Sequence, residues 1–108
     1  MLRNGRRRYL ALKLDAQATL NSREIMDAIW HALLKLYGEY GASRTPLNLI
    51  KHDVDGKIII LRTGHTTVET VRAALASITE VEGKPVSIYV LRVSGTIRTL
   101  RKKMKLES

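Results

Sequence analysis

Hydrophobic positions along this chain switch repeatedly between a period of two and a period near 3.6. Leu10, Leu12 and Leu14 alternate through Arg8–Leu14, which predicts a strand. A helix start follows: Asn21 can cap, Glu24 stands three residues later as its capping-box partner, and Leu20 with Ile25 makes a hydrophobic staple. Ile25, Ala28, Ile29, Ala32, Leu33 and Leu36 then form one apolar stripe at helical spacing. Gly38 and Gly41 are expected to end that helix, with Ser43 to Pro46 as a loop. Residues 47–52 and 57–62 read as two strands joined through Asp53-Val54-Asp55-Gly56, a hairpin with Asp-Gly turn chemistry. Thr66 and Glu69 repeat the capping-box spacing and open a second helix with Val68, Val71, Leu75 and Ile78 inward. Gly83-Lys84-Pro85 reads as a turn and Val86 to Val93 as a β-branched strand. Ser94 is expected to cap a short last helix, with Ile97, Leu100 and Met104 on one side and Arg98, Arg101, Lys102 and Lys105 elsewhere.

The order β-α-β-β-α-β plus a terminal helix predicts an α+β fold. Two right-handed crossovers joined by a hairpin give a ferredoxin-like (RRM-like) βαββαβ sandwich: a four-stranded antiparallel sheet with two helices on one face and a C-terminal basic helix. At 108 residues this is a single domain, 1–108, with a basic arm over 1–7, a core over 8–93 and the basic helix over 94–105. The third strand offers Ile58 and Ile60 to one face and Ile59 and Leu61 to the other, so both faces want cover. The chain holds no Phe, and only Tyr9 and Tyr89 could stack bases on the free sheet face; that argues against base stacking there. Two readings of that face stand: cover by the terminal helix, or by a protein partner. Met26, Trp30, Leu34 and Tyr37 flank the first helix stripe and read either as core or as interface. The candidates for protein contact are Trp30, Tyr37, Tyr40, Tyr89, Ile97 and Leu100.

Charge changes the picture most. Residues 1–8 carry four arginines and no acid, residues 92–108 carry six basic residues against Glu107 alone, and the body between them balances, so the formal charge of +9 sits at the two ends. Such concentration suits a polyanion, nucleic acid first. The candidate RNA contacts are Arg6, Arg7, Arg8, Arg98, Arg101, Lys102 and Lys103, with Arg92 and Arg44 weaker ones. In the expected fold the first and last strands are antiparallel neighbours. The arm and the last helix should therefore share one end of the sheet.

Other chemistry is sparse. Without cysteine there is no disulfide or thiolate metal site, and His31, His52 and His65 have no metal-ligand spacing. His52, Asp53 and Asp55 read as a solvated turn rather than a cation site. No nucleophile constellation or phosphate-cradling glycine loop is recognisable, so no catalytic residue, no metal ligand and no cofactor is assigned to this chain. The longest apolar runs, such as Ile58 to Leu61, are too short to span a bilayer, and Lys13 and Asp15 interrupt any signal-peptide pattern; a cytoplasmic location is expected.

Several separated blocks carry a resemblance. They are Arg8-Tyr9-Leu10, Ile25 with Ala28-Ile29-Trp30, Gly38-Glu39-Tyr40-Gly41-Ala42, Val71-Arg72-Ala73-Ala74-Leu75, Ile78-Thr79-Glu80 with Gly83-Lys84, and Val93-Ser94-Gly95-Thr96-Ile97-Arg98. From about Arg8 to Lys103 the chain resembles the Pop-five family, in its archaeal branch of ribonuclease P protein component 2. The resemblance implies a non-catalytic subunit of a ribonucleoprotein that removes the 5′ leader from precursor tRNA, with Mg2+ held by the RNA. It also implies partners: the ribonuclease P RNA, ribonuclease P protein component 3, a second copy of the chain in a two-plus-two assembly, and other ribonuclease P proteins. The alternative is a small-ligand or effector-binding ferredoxin-like regulatory domain whose basic ends are incidental.

Overall fold

The alternating leucines build the middle of the sheet. The computed structural model describes residues 6–17, 19–53, 55 and 57–107, the last five by their backbone. Strand β1 (Arg7–Ala16) lies between β3 (Ile58–Gly64) and β5 (Lys84–Ser94), and β2 (Leu47–Asp53) pairs with β3. Helices α1 (Ser22–Ser43) and α2 (Val68–Ser77) cover one face. There Leu10, Leu12, Leu14, Ile59 and Leu61 pack with Ile25, Ile29, Leu33, Val71 and Leu75 in the main core.

The sheet has five strands, not the expected four. Glu80–Val81 forms a short β4 against Lys84 and Pro85, and the order across the sheet is β2-β3-β1-β5-β4, antiparallel throughout. The turn sits earlier than expected. Glu82 and Gly83 carry φ of 54° and 76°, the two consecutive left-handed residues that a two-residue type I′ hairpin demands, while Lys84 and Pro85 already belong to β5. Two irregularities shape the ladder. Ile50 is skipped between the pairs Leu49–Leu61 and Lys51–Ile60, and Leu91 is skipped between Ala11–Arg92 and Leu12–Val90.

Helix α1 opens on the expected capping box. Asn21 Oδ1 accepts from the Glu24 N–H at 2.8 Å, and Glu24 Oε1 accepts from the Asn21 N–H at 3.0 Å. Its end differs from expectation. Gly38 (φ 74°, ψ 178°) interrupts the helix instead of terminating it, and helical backbone resumes to Ser43. Burial of Ala42 and a hydrogen bond from Thr45 Oγ1 to Gly41 O (2.9 Å) hold the resumed turn. Leu36, assigned to the inward stripe, is 47% exposed in the turn before the break.

The second capping box does not form. Residues His65–Thr67 make a 3₁₀ turn, and Thr67 Oγ1 is engaged by Gly64 O (3.1 Å) and Thr63 Oγ1 (2.7 Å). In the β2–β3 hairpin, Val54 and Gly56 of the expected turn lie outside the described residues. Lys57, expected in the strand, instead takes φ 56° and donates from Nζ to Ala16 O at 2.7 Å.

Helix α3 (Ile97–Glu107) lies on the second face. Its cap is Thr96, not Ser94: Thr96 Oγ1 accepts from the Thr99 N–H at 3.1 Å, and Thr96 O from the Leu100 N–H at 3.1 Å. Pairing of Ser94 with Tyr9 keeps Ser94 extended, so helical backbone starts only beyond it. Ala11, Ile60 and Leu100 form a small second core, flanked by Tyr9, Ile50 and Ile97. The helix therefore covers the middle of this face and leaves Tyr89, opposite Lys13, 51% exposed.

Candidate nucleic-acid interface

Residues 1–5 of the expected arm lie outside the described residues; from Arg6 onward, strand pairing brings the arm beside the last helix. Tyr9 stands opposite Ser94, so the arm enters β1 beside the point where β5 hands over to α3. The contact is close: a methyl group on Gly95 would sit 3.6 Å from Arg8 Nη1. The arm is also fixed on its other side, where the His65 N–H donates to Arg6 O at 2.8 Å and Arg7 stands opposite Gly64. Arg6, Arg7, Arg92, Arg98, Arg101 and Lys102 are exposed and Arg8 is half-buried. Lys103 lies on α3, but its side chain is outside the description, as are those of Met104 and Lys105.

Like charges gathered this way repel in the free protein and attract a polyanion. The far side of the molecule has the opposite character. Between α1 and β4 a groove is lined by Glu24, Asp27, Glu80 and Glu82 together with His31 and Lys35. The two ends of the sheet thus differ in the sign of the charge they carry.

Two residues that the sequence reading did not single out join the basic end. Arg62 on β3 stands opposite both Tyr9 and Asn48, and its Nη2 donates to Asn48 Oδ1 at 3.3 Å. Arg62 and Asn48 line an open groove of about 390 Å³ with Arg6, Arg7 and His65. Sequence hid this pair because the skipped residue Ile50 shifts the register; counting back from the hairpin turn would place Leu49, not Asn48, opposite Arg62.

The aromatic candidates separate. Trp30 is half-buried and packs on the main core with Met26, while Tyr37 and Tyr40 are exposed near the Gly38 break, Tyr40 by 74%. The Arg44 guanidinium lies 5.2 Å from the Tyr40 ring centroid, so this weaker RNA candidate is engaged in a cation–π contact. Leu100 is not on the surface. It is 0% exposed beneath its own helix against Ala11 and Ile60, so as placed it is spent inside the chain, and Ile97 is half-buried beside it. His52 Nδ1 pairs with Ser22 Oγ at 2.7 Å, tying β2 to the start of α1. Among the described residues no group of three or more His, Cys, Asp or Glu could hold a metal ion, and no helix is long and apolar enough to cross a membrane.

Comparison with known proteins bears on the family and the fold. The Rpp14/Pop5 family model matches residues 8–105. A protein of Pyrococcus furiosus named ribonuclease P protein component 2 is 36% identical over 98 residues, covering 91% of this chain and 82% of its own length. Its namesake in Methanocaldococcus jannaschii is 38% identical over 93 residues, covering 86% of this chain and 68% of its own length. Among solved structures, a chain in the cryo-EM structure of yeast ribonuclease MRP matches with a TM-score of 0.73 at 16% identity, over 99% of this chain and 95% of that one, which is a likeness of fold.

Proposed function

The chain belongs to the Rpp14/Pop5 family, and on that premise we propose that it is a protein subunit of ribonuclease P, acting in tRNA processing as an RNA-binding, non-catalytic component. The observation that carries the RNA contact is the pairing of Tyr9 with Ser94, which sets the Arg6–Arg8 arm beside the start of α3. On this reading the four long strands are a ferredoxin-like sandwich with β4 added at its edge. The chain acts in the cytoplasm, and the chemistry of leader removal belongs to the RNA and its Mg2+. The arginines and lysines hold RNA helices that would otherwise repel, lowering the Mg2+ needed to fold the active RNA. Protein component 3, a second copy of the chain and other ribonuclease P proteins are the proposed protein partners, with Trp30, Tyr37, Tyr40 and Tyr89 as contacts.

The test is salt dependence. Replacing Arg98, Arg101 and Lys102 together by Gln is expected to flatten the slope of log affinity against log salt, for the ribonuclease P RNA of the same organism, by about 2–2.7. An unchanged slope would remove α3 from the contact. In reconstituted enzyme the same variant is expected to need more Mg2+ for 5′ leader removal.

A further inference from the structure

We propose that the groove where β1 begins beside β2 and β3 holds one phosphate-bearing nucleotide of the bound RNA, with Arg62 and Asn48 as its specific contacts. This rests on the RNA-binding reading above and extends it to residues outside the two basic ends. Arg6, Arg7 and Arg62 line the groove, with Asn48 and His65, and among the described lining residues there is no Asp or Glu. Three arginines lining one groove, with no carboxylate among its described lining residues, favour an anion from outside.

The hydrogen-bonding inventory narrows the ligand. Asn48 Oδ1 accepts from Arg62 Nη2 at 3.3 Å, and the pair's other hydrogen-bonding groups are chiefly the Asn48 amide N–H groups and the remaining Arg62 guanidinium N–H groups. These are donors only. They suit an acceptor-rich unit: phosphate oxygens together with a ribose hydroxyl oxygen or a base carbonyl. The site is set before the ligand arrives, because the His65 N–H holds the arm at Arg6 O. It is also continuous with the α3 contact. Arg62 and Asn48 are paired in register with Tyr9, on the sheet face where α3 lies, so a strand of RNA crossing α3 reaches the groove over Tyr9. The space, about 390 Å³, is on the scale of a small-ligand pocket.

The experiment measures binding of the full chain to a transcript of its own organism's ribonuclease P RNA across a salt series. Arg62→Gln is expected to weaken binding roughly tenfold and to lower the salt slope by about 0.7–0.9, the signature of one phosphate contact. Arg62→Lys should keep the slope yet bind more weakly than wild type, because it keeps the charge and loses the fork held by Asn48. Asn48→Ala, an exposed change that leaves the fold intact, should weaken binding with the slope unchanged. Wild-type affinity and slope in Arg62→Gln and Asn48→Ala, with the α3 triple variant still flattened, would overturn the groove and leave the RNA-binding function standing. Absence of binding by the wild-type chain would overturn both.

Discussion

Leu100 decides whether α3 stays on the sheet. Replacing it by Ala removes about three buried carbon groups from a side chain that is 0% exposed, at roughly 0.8 kcal/mol each, or about 2.4 kcal/mol in all. In the main core such a loss would leave a cavity and tax the whole fold. The second core is different: only Ala11, Ile60 and Leu100 are its buried members among the described residues, and α3 can lift away as a unit. An 11-residue helix is too short to persist alone in water, so lifting means melting. At about 1.4 kcal/mol per factor of ten, the docking equilibrium should fall roughly fifty-fold. Hydrogen exchange of the α3 amides reads this directly: their protection should drop by that factor while the amides of Ile29 and Leu33 in α1 lose far less. The affinity for RNA should become as weak as in the α3 charge variant. If α3 protection is unchanged, or falls only in step with the rest of the chain, the helix is not held by this contact and the reasoning fails.

Other outcomes are specific. Asn21→Ala breaks the reciprocal bonds with Glu24 and should cost about 1 kcal/mol, read as a lower urea midpoint with an unchanged slope. Gly38→Ala meets no neighbouring atom within 4 Å, so its cost comes from backbone conformation alone, about 1–3 kcal/mol by chemical denaturation. A cost near zero would mean that the helix straightens through this point.

Much of this architecture is legible in local pattern. Leu10, Leu12 and Leu14 lie on the core face, Asn21 and Glu24 make their box, and Ile59 and Ile60 serve opposite faces of β3. What local pattern hides is set by partners distant in sequence. Ser94 has good capping chemistry, yet pairing with Tyr9 keeps it in a strand and gives the cap to Thr96. Gly38 has terminator chemistry, yet burial of Ala42 pulls the backbone back into a helix. Glu80–Val81 is too short to show a period, and it pairs only because the following turn folds it onto β5. The site divides in the same way. Runs of arginine and lysine mark the basic ends, whereas Arg62 and Asn48 carry no such mark and meet across a shifted register.

The skipped Leu91 makes β5 unequal in its tolerance of deletions. Along an unbroken ladder Arg92 would share the inward side with Val90; the spare residue turns it outward, opposite Ala11. Losing Leu91 itself keeps Val90 against Leu12 and Arg92 against Ala11, so the chain would shorten without changing which side is greasy. Losing Val93, two positions later, would bring Ser94 opposite Leu10 and launch the last helix from beneath the sheet rather than above it. Relatives that differ by one residue in this strand should therefore carry the gap at the former position and not at the latter.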